Sequence, residues 1–166
     1  MAETLSSEQY SAIVIDHFTN PRNAGAMADA DAEAFVTNPV CGDSMRIFLR
    51  FDEDGGHIAA ASFLSSGCPA SIATSSMATE MLTGRTPEEA EALTRDDYAE
   101  AVGGLPKSKV HCSVLAAAAV RNAITSWRAA RATASPTCAL DDRRRDPAGR
   151  RSLEAHGRAQ AAARLG

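Results

Sequence analysis

Three cysteines stand among glycine, proline and histidine rather than inside apolar runs. They lie in Asn38-Pro39-Val40-Cys41-Gly42-Asp43, in Ser66-Gly67-Cys68-Pro69 and in Val110-His111-Cys112-Ser113. Such neighbours belong to turns and helix starts. Pro69 suits the first position of a helix, which makes Cys68 its cap. Cys112 opens the last long helical pattern. A helix N-terminus carries partial positive charge and lowers a thiol's pKa, and the resulting thiolate binds soft metals and attacks sulfur. Three thiolates with one weaker ligand form a tetrahedral site suited to Zn2+ or to an iron–sulfur cluster. Two residues offer that weaker ligand: Asp43, just past Cys41, and His111, which adjoins Cys112. A carboxylate is a hard ligand and holds iron or zinc less firmly than a thiolate does. That suits a site meant to release its cargo. Plainer readings use the same residues: cysteine as a small hydrophobe, Asp43 as a turn residue, His111 as a packing group, or a permanent structural zinc.

The fourth cysteine, Cys138, stands alone in an Arg-rich stretch, and no two cysteines form a C-x-x-C pair. A zinc ribbon or a thioredoxin-type redox motif is therefore not supported. No apolar run approaches bilayer length, and the N-terminus lacks the basic, apolar, small-residue order of a secretory signal. The expected location is the cytoplasm, where cysteines serve metals and catalysis more often than disulfides. The net charge of −4 hides an acidic body (1–127) and an Arg-rich tail. An acidic body argues against nucleic-acid binding, and nothing calls for a membrane.

The elements that must hold these residues are legible in the spacing. The chain of 166 residues is 45% hydrophobic but only 5% aromatic. It suits one domain with an aliphatic and alanine core. Residues 7–18 predict a helix with Tyr10, Ile13, Val14 and Phe18 on one face, stopped by Asn20-Pro21. Residues 24–33 read as a loop or link. Residues 45–52 predict a strand, with Met45, Ile47, Leu49 and Phe51 on one face and Phe48 breaking the alternation. Asp54-Gly55-Gly56 offers a tight hairpin turn, Ile58–Leu64 a partner strand, and Ala34–Thr37 a short flanking strand. That hairpin brings the regions of Cys41 and Cys68 to one end of the sheet. Helical spacing runs from Ala70 to Leu82, with Ala73, Met77 and Met81 in register, and Gly84 ends it. Thr86-Pro87-Glu88-Glu89 is a strong helix start. Short helical pieces reach Val102, and a long helix spans Ser113 to about Arg131 with Ala116, Val120, Ile124 and Trp127 inward. A domain over 1–130 and a disordered tail over 131–166 follow.

Several separate motifs occur in a familiar order: Asn20-Pro21-Arg22-Asn23, Cys41-Gly42-Asp43, Gly67-Cys68-Pro69-Ala70-Ser71-Ile72-Ala73-Thr74-Ser75-Ser76, Gly103-Gly104-Leu105-Pro106 and His111-Cys112-Ser113. From about Tyr10 to about Arg128 the chain resembles the iron–sulfur scaffold family of IscU and the N-terminal domain of NifU, with a lean toward the NifU branch. The resemblance implies an α+β domain with a small, mainly antiparallel three-stranded sheet packed by helices. It implies a non-enzymatic scaffold. A cysteine desulfurase delivers sulfur as a persulfide, iron and reducing electrons are supplied, a transient 2Fe–2S cluster forms on Cys41, Cys68 and Cys112, and apo iron–sulfur client proteins receive it. Asp43 and His111 match the family's positions near the cluster, and Cys112 matches the persulfide acceptor. Leu105-Pro106-Lys107-Ser108-Lys109 departs from the Leu-Pro-Pro-Val-Lys motif that engages an Hsp70-type chaperone, which puts that partner in doubt. The alternative is a SufU-like, zinc-dependent sulfurtransferase. That branch carries an insertion between its second and third cysteines and lacks the histidine before the third, and both features favour the scaffold reading here. Whether the chain is a monomer or a homodimer is not legible.

Overall fold

A computed structural model describes residues 10–39 and 41–134. The Arg-rich tail and Cys138 lie outside the described residues. Three strands form one antiparallel sheet in the order β1 (Ala32–Thr37), β2 (Ser44–Phe51), β3 (Ile58–Ser66). Around it run α1 (Ala12–Thr19), α2 (Pro69–Leu82), α3 (Pro87–Ala92), α4 (Arg95–Ala101) and α5 (Val110–Ala134), which a 3₁₀ turn at Lys107–Lys109 precedes. The fold is the expected α+β class.

The period-two pattern of β2 decides which face is covered. Met45, Ile47, Leu49 and Phe51 are buried, as are Ile58, Ala61 and Phe63 of β3. Each of these side chains larger than alanine contributes about 1.5–3 kcal/mol by leaving water. α5 lies against β1 and β2, and α2 lies against β3. Leu115, Ala116, Ala119, Val120, Ala123 and Ile124 of α5 join Ala78 and Leu82 of α2 in the same cluster. Phe48, the residue that broke the alternation, points to the opposite face yet is also buried. Trp127 stacks on Phe51 with ring centroids 3.8 Å apart and joins the far end of α5 to the sheet.

α2 is buried nearly all round, and its small hydroxyl residues allow that. Thr74, Ser75 and Thr79 satisfy their hydroxyls on carbonyls of their own helix. Ser76 faces α1, where its Oγ meets His17 Nδ1 at 2.9 Å and accepts from the Arg22 N–H at 2.8 Å. Asn23 donates to Thr79 Oγ1 at 2.9 Å from a left-handed conformation (φ 56°) that asparagine tolerates. The Asn20–Asn23 motif thus clips the chain after α1 onto α2.

The structure corrects several boundaries. α1 starts at Ala12, because Ser11 caps it by accepting from the Val14 N–H; residues 7–9 of the expected helix lie outside the described residues. Ile13, expected inward, is 41% exposed, while Val14 is fully buried. The tight hairpin turn is instead a loop over 52–57. Asp52 closes it through a backbone bond to His57 and by accepting from Gly56 N–H, and a register shift falls between Arg50 and Phe51. α5 begins at Val110, before Ser113, because the 3₁₀ turn runs straight into it. A second capping box, Thr94 with Asp97, starts α4, where the spacing had shown only short helical pieces.

Candidate metal centre

The last rung of the sheet pairs Thr37 with Ser44 and Ser44 with Ser66. The β1–β2 loop and the β3–α2 junction therefore leave the sheet side by side. The loop folds tightly: Gly42 N–H bonds Asn38 O and Asn38 N–H bonds Asp43 O, both at 2.8 Å. Gly42 sits at φ 74°, which favours glycine. The result is an exposed Cys41 and an inward Asp43 that is only 5% exposed.

Asp43 rests against Gly67. A Cβ on Gly67 would lie 2.5 Å from Asp43 Oδ1, so only glycine leaves room for the carboxylate. Cys68 follows as the cap of α2, with Pro69 in the first turn, as the sequence predicted. Its backbone N–H donates to Asp43 Oδ1 at 3.3 Å. Cys112 lies in the first turn of α5, beside His111.

Asp43 Oδ2 stands 3.6 Å from Cys68 Sγ, 3.8 Å from Cys112 Sγ and 3.7 Å from His111 Nε2. The two sulfurs are 3.6 Å apart. Donor atoms of Asp43, Cys68 and Cys112 all lie within 4.8 Å of one another, and so do those of Cys41, Asp43 and His111. Two ligand triads thus share one carboxylate. The sequence left the choice between Asp43 and His111 open; the fold brings both residues into the cluster. All three cysteines are free thiols. His111 Nε2 is buried and has no hydrogen-bond partner. A buried imidazole nitrogen without a hydrogen-bond partner, three thiols and a carboxylate together fit a soft or borderline metal ion.

The sulfurs differ in burial and in proton affinity. Cys41 is exposed, Cys68 half-buried and Cys112 buried. The Cys112 thiol donates to Cys68 and holds the Cys68 pKa down to about 6; the Ser71 N–H and the Lys109 ammonium add to this against the cost of burial. The same bond, then burial, pushes the Cys112 pKa far up. Of the two sulfurs, Cys68 is the one whose charged form the surroundings favour. Lys109 is held more firmly protonated, chiefly by the Cys68 charge. Sequence reading missed Lys109 and Gly67. One signal was available, since Gly67 directly precedes a capping cysteine.

The family model for the NifU-like N terminal domain matches residues 9–134. The chain is 55% identical over 118 residues to the iron-sulfur cluster assembly scaffold protein IscU 1 of Archaeoglobus fulgidus, covering 71% of this chain and 76% of that one. It is 43% identical over 122 residues to the scaffold protein IscU of Azotobacter vinelandii, covering 72% and 94%. In fold it resembles a crystal structure described as a SUF-system scaffold protein of Fervidobacterium islandicum, with a TM-score of 0.61 at 21% identity over 72% of this chain and 98% of that one. It also resembles the N-terminal part of a NifU-like protein of Brucella abortus, with a TM-score of 0.58 at 19% identity over 74% and 96%. With the motifs in order and the ligand cluster at one end of the sheet, the chain belongs to the NifU-like N-terminal domain family.

Proposed function

We propose that the chain is a scaffold on which a 2Fe–2S cluster is assembled and then passed to apo-proteins. The observation that carries this is the shared carboxylate, with Asp43 Oδ2 3.6–3.8 Å from two cysteine sulfurs and a histidine nitrogen. Relatives at 55% and 43% identity bear the name of iron-sulfur cluster assembly scaffold. Cys41, Cys68 and Cys112 are the cluster thiolates in this reading, with Asp43 and His111 as the exchangeable ligands. Iron and sulfide are substrates here, because a scaffold must give up what it holds. Thiolates bind iron strongly, and a carboxylate or imidazole in the set weakens the hold enough for exchange.

Sulfur enters from a cysteine desulfurase, and Cys112 accepts it. The Cys112 thiol is buried and must lose its proton before it attacks; the Cys68 sulfur 3.6 Å away is placed to take it. The attacking thiolate then takes the outer sulfur of the partner's persulfide, and the partner's thiolate leaves; two electrons from an external thiol or ferredoxin-type donor then release that sulfur as sulfide and restore the Cys112 thiolate. The same ligands also take zinc, whose occupancy follows availability as much as affinity.

The test is anaerobic incubation of the chain with ferrous iron, cysteine and a desulfurase. A red-brown species that apo-ferredoxin strips off is expected; no visible absorption refutes the scaffold reading. Desulfurase turnover with zinc-loaded and zinc-free chain runs beside it, and strong stimulation by the zinc form alone points to a sulfurtransferase instead.

A further inference from the structure

The hydroxyls of α2 follow one rule with one exception. Thr74 Oγ1 donates to Ala70 O at 2.7 Å, Ser75 Oγ to Ser71 O at 2.8 Å, and Thr79 Oγ1 to Ser76 O at 2.8 Å. Ser76 Oγ is engaged by His17 and Arg22. Ser71 is equally buried, at 1% exposure, yet its Oγ has no hydrogen-bond partner. Position explains the difference. The carbonyl four residues before Ser71 belongs to Gly67, outside the helix, and the one three residues before, Cys68 O, already accepts from the Ser71 and Ile72 N–H groups.

An unpaired buried hydroxyl costs about 1–3 kcal/mol. Alanine at that place would avoid the cost and favour the helix. Ser71 is the third helical residue, and helical side chains tilt toward the N-terminus, which here means toward the Cys68 corner. The Ser71 N–H already serves that corner: it bonds Cys68 O at 2.9 Å and favours charge on the Cys68 sulfur. The Cys68 sulfur also meets the Cys112 thiol.

We propose that Ser71 is a positioning residue for the cargo, its Oγ–H donating to the Cys68 sulfur when that sulfur ligates metal. This rests on the scaffold reading. Hydrogen bonds to ligating sulfurs orient them and stabilise the reduced cluster. Ser71 therefore acts through Cys68 and sets how readily the bound cluster takes up an electron.

The experiment compares the full chain with Ser71→Ala and with Ser75→Ala, a substitution of a hydroxyl on the same helix that already has its partner. Each is loaded with cobalt(II) alone, and the sulfur-to-cobalt charge-transfer band is recorded. Each is then given a reconstituted cluster, and its midpoint potential is measured. Ser71→Ala should move the band to longer wavelength and make the potential more negative, while Ser75→Ala moves neither. Bands and potentials unchanged by Ser71→Ala, or shifted equally by Ser75→Ala, overturn the proposal. If the unsubstituted chain binds cobalt but never takes a cluster, the scaffold reading fails instead, and the cobalt bands still decide the role of Ser71.

Discussion

Asp43 is the residue on which the centre turns. It belongs to both ligand triads, and its carboxylate is the hardest donor among them. Replacing it should remove the easiest exchange step. Asp43→Ala is expected to give a longer-lived cluster, measured as slower bleaching in the presence of apo-ferredoxin; faster bleaching counts against a labile carboxylate. Gly67 holds that carboxylate in place by having no side chain. Gly67→Ala should displace Asp43 while leaving all five donor residues in the chain. Disturbed outer partners commonly cost about 10–100-fold in metal affinity, so zinc affinity, read by competition with a chelating dye, should fall within that span. An unchanged affinity would show that Asp43 does not need its present seat. The types and order of Cys41, Asp43, Cys68, His111 and Cys112 were legible in the sequence. Their sharing of one carboxylate was not, because the register of Thr37, Ser44 and Ser66 decides it.

At the scale of elements, the contact between α1 and α2 carries a titratable group. His17 is buried, with Ser76 Oγ on Nδ1 and Glu80 at 3.5 Å from Nε2. Burial and then Arg22 hold its pKa below the ordinary 6.5, against the pull of Glu80 and Asp16. The native chain therefore resists protonation more than the unfolded chain does. Stability is unaffected well above pH 6.5 and declines as pH falls through 6.5 toward the lowered native pKa. His17→Gln should flatten that part of the Tm-against-pH curve; a curve of identical slope would remove His17 as its source. Elements with a strong local rule were readable in advance: the alternation in β2, the capping box at Thr86, and the stop at Asn20-Pro21. The start of α5 was not, because no capping side chain marks it and the 3₁₀ turn supplies the entry. The loop at 52–57 was misread because Gly55-Gly56 suggests a short turn, whereas the Asp52 side chain organises a longer one.

Across the whole molecule, the candidate metal centre and the hydrophobic core are separate constructions. The core lies under the sheet between α2 and α5, and the ligands sit at the sheet's end. Metal should therefore add stability to a chain that folds without it. At free zinc about a thousandfold above Kd, the gain is about 4 kcal/mol, visible as a raised Tm in scanning calorimetry. Cys68→Ser should abolish most of that gain while leaving the Tm without zinc nearly unchanged. A chain that unfolds when chelator is added would contradict the separation. No helix among the described residues is long and apolar enough to cross a membrane. The exposed side chains of Phe35 and Leu64 both neighbour Arg46 across the sheet, two rungs in from the last one.

Cys41, Cys68 and Cys112 grade from solvent to interior, and in the scaffold reading that gradient gives the handover a direction. Once the carboxylate has given way, an approaching client meets the outermost sulfur first, so its own thiolate displaces Cys41 before it can reach Cys68, and Cys112 lets go last. Release is then a sequence of single substitutions, during which the cargo is never without a protein ligand.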